Sequence, residues 1–189
     1  MEKNTIHIKN MVCNRCIMVV KNLFAELGID VGEITLGEVE VKHCLSAKDS
    51  DILRQRLEDL GFEMIDNKQE QIVGQIKSVI IQLVHNNNGE LKTNLSNYIS
   101  DSLHYDYSYL SNLFSEQEGK TIEQYFIAQK IERVKELLEY GEHSLNEIAD
   151  LLNYSSSAHL SSQFKKVTGQ SPSAFKKEQN TERKPLDKI

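Results

Sequence analysis

The sequence predicts an α+β chain in two parts, a β-α-β-β-α-β domain followed by an all-helical half. Three observations predict it: apolar residues alternate in short runs up to residue 65, helical spacing alone follows residue 71, and the second half repeats itself at a fifty-residue offset. The 189 residues are 39% hydrophobic and 26% charged, an ordinary balance that supplies a core and excludes wholesale disorder. With 9 Gly and 2 Pro, collagen-like and Pro-rich linker architectures are excluded as well. The most apolar stretch, residues 79–84, is interrupted by Gln82 and far too short for a membrane span. Met1 to Thr5 lead into an alternating run without an apolar signal core, so a soluble, cytoplasmic protein without membrane partners is expected.

Residues 5–9 alternate and predict a first strand ending near Met11. Val19, Val20, Leu23, Phe24 and Leu27 form a helical stripe over residues 16–27, and Gly28 suits the position after its end. Two strand-like runs, 31–36 and 38–42, turn near Gly37. A second helix over 50–60 places Ile52, Leu53, Leu57 and Leu60 on one face, and residues 62–65 make a fourth strand. This order predicts a ferredoxin-like sandwich.

Polar residues 66–71 separate this domain, taken as 1–68, from the helical half, taken as 69–180, and residues 181–189 read as a polar tail. Ile72, Val73, Ile76, Val79, Ile80, Leu83 and Val84 define an amphipathic helix that stops at the Asn86-Asn87-Asn88-Gly89 run. Beyond it the fifty-residue offset pairs Leu95 with Leu145, Leu110 with Leu160, Ser111 with Ser161, Phe114 with Phe164, Gly119 with Gly169 and Tyr125 with Phe175. Each copy reads as helix, tight turn, helix. In the second, Ser144 suits a cap, Ala149 is small where a crossing helix comes close, and Asn153 suits the left-handed conformation of the turn. One such copy is equally well a plain helical hairpin. Two copies, joined by a long helix over 122–140, favour paired helix-turn-helix units whose second helices reach successive major grooves, roughly 34 Å apart.

The run Tyr109-Leu110-Ser111-Asn112-Leu113-Phe114 with Gly119, the stretch from Tyr125 to Leu138, Ile148-Ala149, the run from Leu160 to Lys166, Gly169, Ser171-Pro172 and Phe175 together resemble the AraC/XylS family DNA-binding domain. The resemblance covers residues 71–177. It implies a transcriptional regulator with two helix-turn-helix units on a seven-helix frame whose first helix is 72–84, and double-stranded DNA as its partner.

Carried over by position, the resemblance puts a first recognition helix at 108–115, exposing Ser108, Tyr109, Ser111, Asn112 and Ser115. A second at 156–166 exposes Ser157, Ala158, His159, Ser161, Ser162 and Lys165, with Lys166 beside it. Leu110, Phe114, Leu160 and Phe164 are expected in the core. The family often carries Arg where Asn112 and Ser162 stand; Asn suits adenine and Ser is permissive, which implies modest base readout with Lys165 and Lys166 on phosphates.

Three cysteines are too few and odd in number for a disulfide framework. Cys13-Asn14-Arg15-Cys16, with Met11 before it, falls between the first strand and first helix and resembles the Met-x-Cys-x-x-Cys loop of heavy-metal-associated domains, over residues 3–66 and with Asn10 in place of the usual Gly. Thiols at a helix N-terminus beside Arg15 are expected to be acidified, and soft thiolates favour Cu(I) or Zn(II), two ligands alone suiting linear Cu(I) better. Three readings of the pair stand open: a thiophilic-metal site, a thiol–disulfide switch, or a loop whose cysteines only pack. Cys44 is expected at the far edge of the sheet as a buried small hydrophobe, and His7 and His43 as surface strand residues.

Net charge is −6, split as −4 over residues 1–70 and −2 over 71–189, which argues against indiscriminate coating of nucleic acid. Basic residues collect after Leu160: Lys165, Lys166, Lys176, Lys177, Arg183, Lys184 and Lys188 against Glu178, Glu182 and Asp187. No nucleophile–base or paired-carboxylate constellation points to an enzyme. The expected function is sequence-specific transcription regulation, with metal or thiol control at Cys13 and Cys16. One alternative is a metal-trafficking protein whose helical half docks a protein; another is a thiol–disulfide oxidoreductase, for which the Cys13–Cys16 pair lacks an obvious thioredoxin-type frame. Two DNA-contacting units make a monomer sufficient for one site, and a homodimer is compatible with them.

Overall fold

The computed structural model describes residues 4–91, 93–177, 186 and 189. The chain divides into two units, Met1–Ser78 and Val79–Ile189. The first contains β1 (Asn4–Lys9), α1 (Asn14–Glu26), β2 (Val31–Thr35), β3 (Glu38–Val41), α2 (Ala47–Asp59) and β4 (Glu63–Ile65). Every strand pairing is antiparallel, in the order β2-β3-β1-β4, with Ile6 opposite Val39 and Ile8 opposite Met64. The core holds Ile8, Met11, Val39 and Val41 with Val20, Leu23 and Phe24 of α1 and Leu53 and Leu57 of α2.

Both helices bury narrower stripes than their sequences suggest. Val19, Ile52 and Leu60 are exposed, because an i, i+3, i+4 set already covers the face that each short helix offers the sheet. Asn10 adopts a left-handed φ of 72° after β1 and donates its amide to the Gly61 carbonyl at 3.0 Å. A residue other than Gly is therefore tolerated there, since Asn visits this conformation at low cost.

The division between units falls inside α3 (Lys68–His85), four residues longer at its start than the apolar pattern 72–84. The second unit continues with α4 (Leu95–Leu103), α5 (Tyr107–Glu118), α6 (Ile122–Tyr140), α7 (Leu145–Leu151), α8 (Ser157–Thr168) and α9 (Pro172–Lys177). The fifty-residue repeat survives in three dimensions. Asn94 caps α4 as Ser144 caps α7, and Gly119 and Gly169 close α5 and α8 at φ of 67° and 84°. The ring pair Phe114–Tyr125, centroids 5.6 Å apart, recurs as Phe164–Phe175 at 5.5 Å. Each buried aromatic contributes about 1.5–3 kcal/mol.

The turns differ by one residue. The left-handed position is His104 in the first copy, at φ 58°, and Asn153 in the second, at φ 55°. Leu110, Phe114, Leu160 and Phe164 are fully buried, as expected. Between the copies α6 buries Gln129, whose amide nitrogen donates to the Tyr125 hydroxyl at 2.9 Å and to the Leu186 carbonyl at 3.3 Å, while its oxygen lies 3.1 Å from Nε2 of His85. The predicted tail, 181–189, lies outside the described residues apart from Leu186 and Ile189. Among the described residues no helix is long and apolar enough to cross a membrane.

Candidate nucleic-acid interface

The outer faces of α5 and α8 follow from their buried ones. Leu110, Leu113 and Phe114 anchor α5, which leaves Ser108, Tyr109 and Asn112 exposed and turns Ser111 and Ser115 to the flank, half-buried. Leu160 and Phe164 anchor α8, leaving Ala158, His159, Ser162, Lys165 and Lys166 exposed and Ser157 and Ser161 half-buried. The expected exposure of Ser111, Ser115, Ser157 and Ser161 is thus corrected. At 100° per residue these positions fall beside the core stripe rather than opposite it. Ser161 also spends its hydroxyl proton on the Ser157 carbonyl, 2.8 Å away.

Each helix starts on a side-chain cap. Asp106 Oδ1 accepts from the amides of Ser108 at 2.8 Å and Tyr109 at 3.3 Å, whereas Ser156 Oγ accepts from the amide of His159 at 3.1 Å. His159 is held on two sides, by Ser155 Oγ 3.0 Å from its Nδ1 and by the Tyr154 ring, edge-on at 5.5 Å. Tyr154 in turn donates its hydroxyl to Gln163 Oε1 at 2.8 Å, and burial pushes its phenol far above the ordinary range. Beneath it Lys130 of α6 sets its ammonium 4.0 Å from the Tyr154 ring centre, and burial lowers that lysine to about 8.

Two residues outside the predicted set stand at the start of α5. They are Tyr105, exposed with its ring centre 5.8 Å from that of the predicted Tyr109, and Asp106, which follows Tyr105 in the chain. Extending the fifty-residue offset by one more pair, Asp106 with Ser156, finds that cap from sequence.

In the first unit, Cys13 occupies the N-cap of α1 in extended backbone and Cys16 lies in its first turn, with sulfurs 3.5 Å apart. Burial raises the Cys13 thiol, but the amides of Cys16 and Arg15, the Cys16 thiol and the Arg15 guanidinium outweigh it, so Cys13 titrates below an ordinary cysteine. Cys16 moves the other way, raised first by burial and further by Cys13. Cys44 is exposed, which corrects the expectation of a buried hydrophobe; it lies three residues past the end of β3, outside the paired sheet. Val41 pairs with Asn4 at the start of β1, so Cys44 follows the sheet edge opposite the one from which Cys13 departs. His43 is exposed, and His7 is half-buried with its Nδ1 3.6 Å from Glu38. Among the described residues no group of three or more His, Cys, Asp or Glu side chains is placed to hold a metal ion.

Residues 99–178 match the family described as a helix-turn-helix domain. An uncharacterized HTH-type transcriptional regulator of Escherichia coli strain K12, YidL, is 36% identical over 80 residues, 42% of this chain and 26% of that protein. The Msm operon regulatory protein of Streptococcus mutans is 30% identical over 118 residues, 62% of this chain and 40% of its own length. The chain therefore spans well under half of either relative. Among solved structures, the C-terminal domain of AraT, a response regulator from Geobacillus stearothermophilus, aligns over 62% of this chain and 97% of its own with a TM-score of 0.50 and 21% identity, a likeness of fold. Residues 99–178 of the helical unit are thus similar to a helix-turn-helix domain, the fold that the repeat describes.

Proposed function

We propose that the chain regulates transcription by binding a specific duplex sequence through α5 and α8, each inserted into one of two successive major grooves. The observation that carries this reading is the repeat itself: two helix–turn–helix copies with the same buried leucine and phenylalanine and the same closing glycine, joined by one long helix. Ser108, Tyr109, Ser111, Asn112 and Ser115 face one half-site and Ser157, Ala158, His159, Ser161 and Ser162 the other, with Lys165 and Lys166 on phosphates. A domain boundary at 68/69 belongs to the same reading and rests on the polar run 66–71. One bound chain accounts for one site.

We further propose a ferredoxin-like, heavy-metal-associated-like first domain that conditions DNA binding through Cys13 and Cys16. The antiparallel order β2-β3-β1-β4 and the cysteines between β1 and α1 support it. The donor set suits a soft cation: Cys13 and Cys16 present two sulfurs 3.5 Å apart, and these would hold Cu(I) or Zn(II). Such an ion would supply a fixed positive charge that holds both thiols as thiolates.

Fluorescence anisotropy on a duplex selected from a random pool tests the reading. Affinity should fall steeply with salt, since displaced counterions drive association, whereas docking of a protein through apolar surface would hardly respond. Lys165→Ala should weaken every sequence alike, and Asn112→Ala should relax preference at one position by about 1–3 kcal/mol. Cu(I) or Zn(II) should shift DNA affinity, and DNA should shift metal affinity by the same factor; independence of the two would remove the control but not the DNA reading.

A further inference from the structure

The two copies share a frame but carry opposite charge on their outer faces. Along the fifty-residue offset, Asp106 corresponds to Ser156, Tyr109 to His159, Asn112 to Ser162, Ser115 to Lys165 and Glu116 to Lys166. All except Ser115 are exposed. The outer side of α8 thus offers two ammonium groups, and the outer side of α5 offers none and two carboxylates. The contrast extends beyond the helices: residues 94–120 hold Asp101, Asp106, Glu116 and Glu118 against Lys120, whereas 144–170 hold Glu147 and Asp150 against Lys165 and Lys166.

The start of α5 sharpens the difference. A helix N-terminus presents free amides and a partial positive charge that would draw a phosphate. In α5 two of those amides are already taken by the Asp106 carboxylate, at 2.8 and 3.3 Å, so a full negative charge stands where a phosphate oxygen would need to sit. The equivalent cap of α8, Ser156, is neutral. Beside Asp106 the exposed rings of Tyr105 and Tyr109 lie 5.8 Å apart, and Asn112 is exposed about one turn further along.

We infer, resting on the DNA reading above, that the two units divide the work: α8 holds the phosphate backbone through Lys165 and Lys166, while α5 reads an A·T-bearing half-site through Tyr109 and Asn112 and is kept off phosphates by Asp106 and Glu116. An aromatic edge suits the thymine methyl group and an Asn amide suits adenine N6 and N7, and neither contact depends on counterion release. Carboxylates beside them repel any duplex that offers only its backbone, so they act as specificity determinants by exclusion.

The test uses the full chain, a duplex selected from a random pool and a scrambled duplex of the same composition, with affinities measured across a salt series. Asp106→Asn with Glu116→Gln removes both charges while keeping a good cap. This pair should tighten the scrambled duplex at least fivefold, tighten the selected one less, and steepen the salt dependence. Lys165→Ala with Lys166→Ala should weaken both duplexes alike and reduce the salt slope by about 2. Tyr109→Ala should lose about tenfold on the selected duplex and at least five times less on the scrambled one. An unchanged specificity ratio in the carboxylate variant, or equal losses on both duplexes for Tyr109→Ala, overturns the division while leaving DNA binding intact. If the unaltered chain enriches no sequence at all, the DNA reading falls and the division falls with it.

Discussion

Lys130 offers a test of how the second unit is held together. It is 8% exposed, and its ammonium rests 4.0 Å from the Tyr154 ring centre and 5.6 Å from that of Phe126. Burial lowers its pKa from 10.5 to about 8. At about 1.4 kcal/mol per tenfold change in proton affinity, keeping this lysine charged costs the fold at most about 3 kcal/mol. The Tyr154 face returns about 1–2 kcal/mol as a desolvated cation–π contact. Desolvation therefore wins by about 1–2 kcal/mol, and Lys130→Met, which keeps the length and removes the charge, should stabilise the chain at pH 7 and raise Tm by about 3–6 °C.

Between pH 8 and 10 the unfolded chain binds more protons at this lysine than the folded chain does, so stability should rise with pH across that window. The penalty is fully present below about pH 8. The difference between wild type and Lys130→Met, from urea unfolding at several pH values, isolates this group, because Tyr107 and Tyr154, both held above the ordinary phenol range, are common to the two chains. A less stable Lys130→Met at pH 7, or a gap between the two chains that does not close toward pH 10, would refute the reasoning.

The two cysteines of the first unit should differ in reactivity. Alkylation at pH 7.5 followed by peptide mapping should label Cys13 faster than Cys16, in keeping with the opposite directions of their pKa shifts; equal or reversed rates count against the acidified cap. In the core of the second unit, Leu160→Ala should cost about 2–5 kcal/mol in urea unfolding, since Leu160 is fully buried in the cluster with Phe164 and Phe175. The neighbouring exposed Ser162→Ala should change stability by less than about 0.5 kcal/mol, and a comparable loss there would contradict the assigned outer face.

Much of the helical half was legible because a duplication leaves two independent records of one pattern. Ser144 as a cap, Ala149 as a buried small residue and Asn153 in the left-handed turn all follow from local chemistry, and the structure places each so. Exposure is less legible. Ser111, Ser115, Ser157 and Ser161 are polar, and polarity does not separate the flank of a helix from its outer face when the core stripe is wide. Val19, Ile52 and Leu60 show the reverse error, since apolar residues one step off a stripe remain in solvent.

Cys44 follows the same logic. Its small apolar character suggested burial, but the chain leaves the sheet after Val41, and no neighbouring element covers it. The Asp106 cap is readable one step further along the repeat, opposite Ser156, whereas the Tyr105–Tyr109 pair is not, because Ser155 and His159 stand at the matching positions. The buried cage of Lys130 was not, because it depends on which helix face α6 turns toward the second copy.

Hydroxyl-radical footprinting of the full chain on its selected duplex bears most sharply on paired insertion of α5 and α8. Two protected patches on one face of the DNA, centred about 10–10.5 base pairs apart, are the expected result. A single patch, or two on opposite faces, would mean that the duplicated helices do not occupy neighbouring grooves.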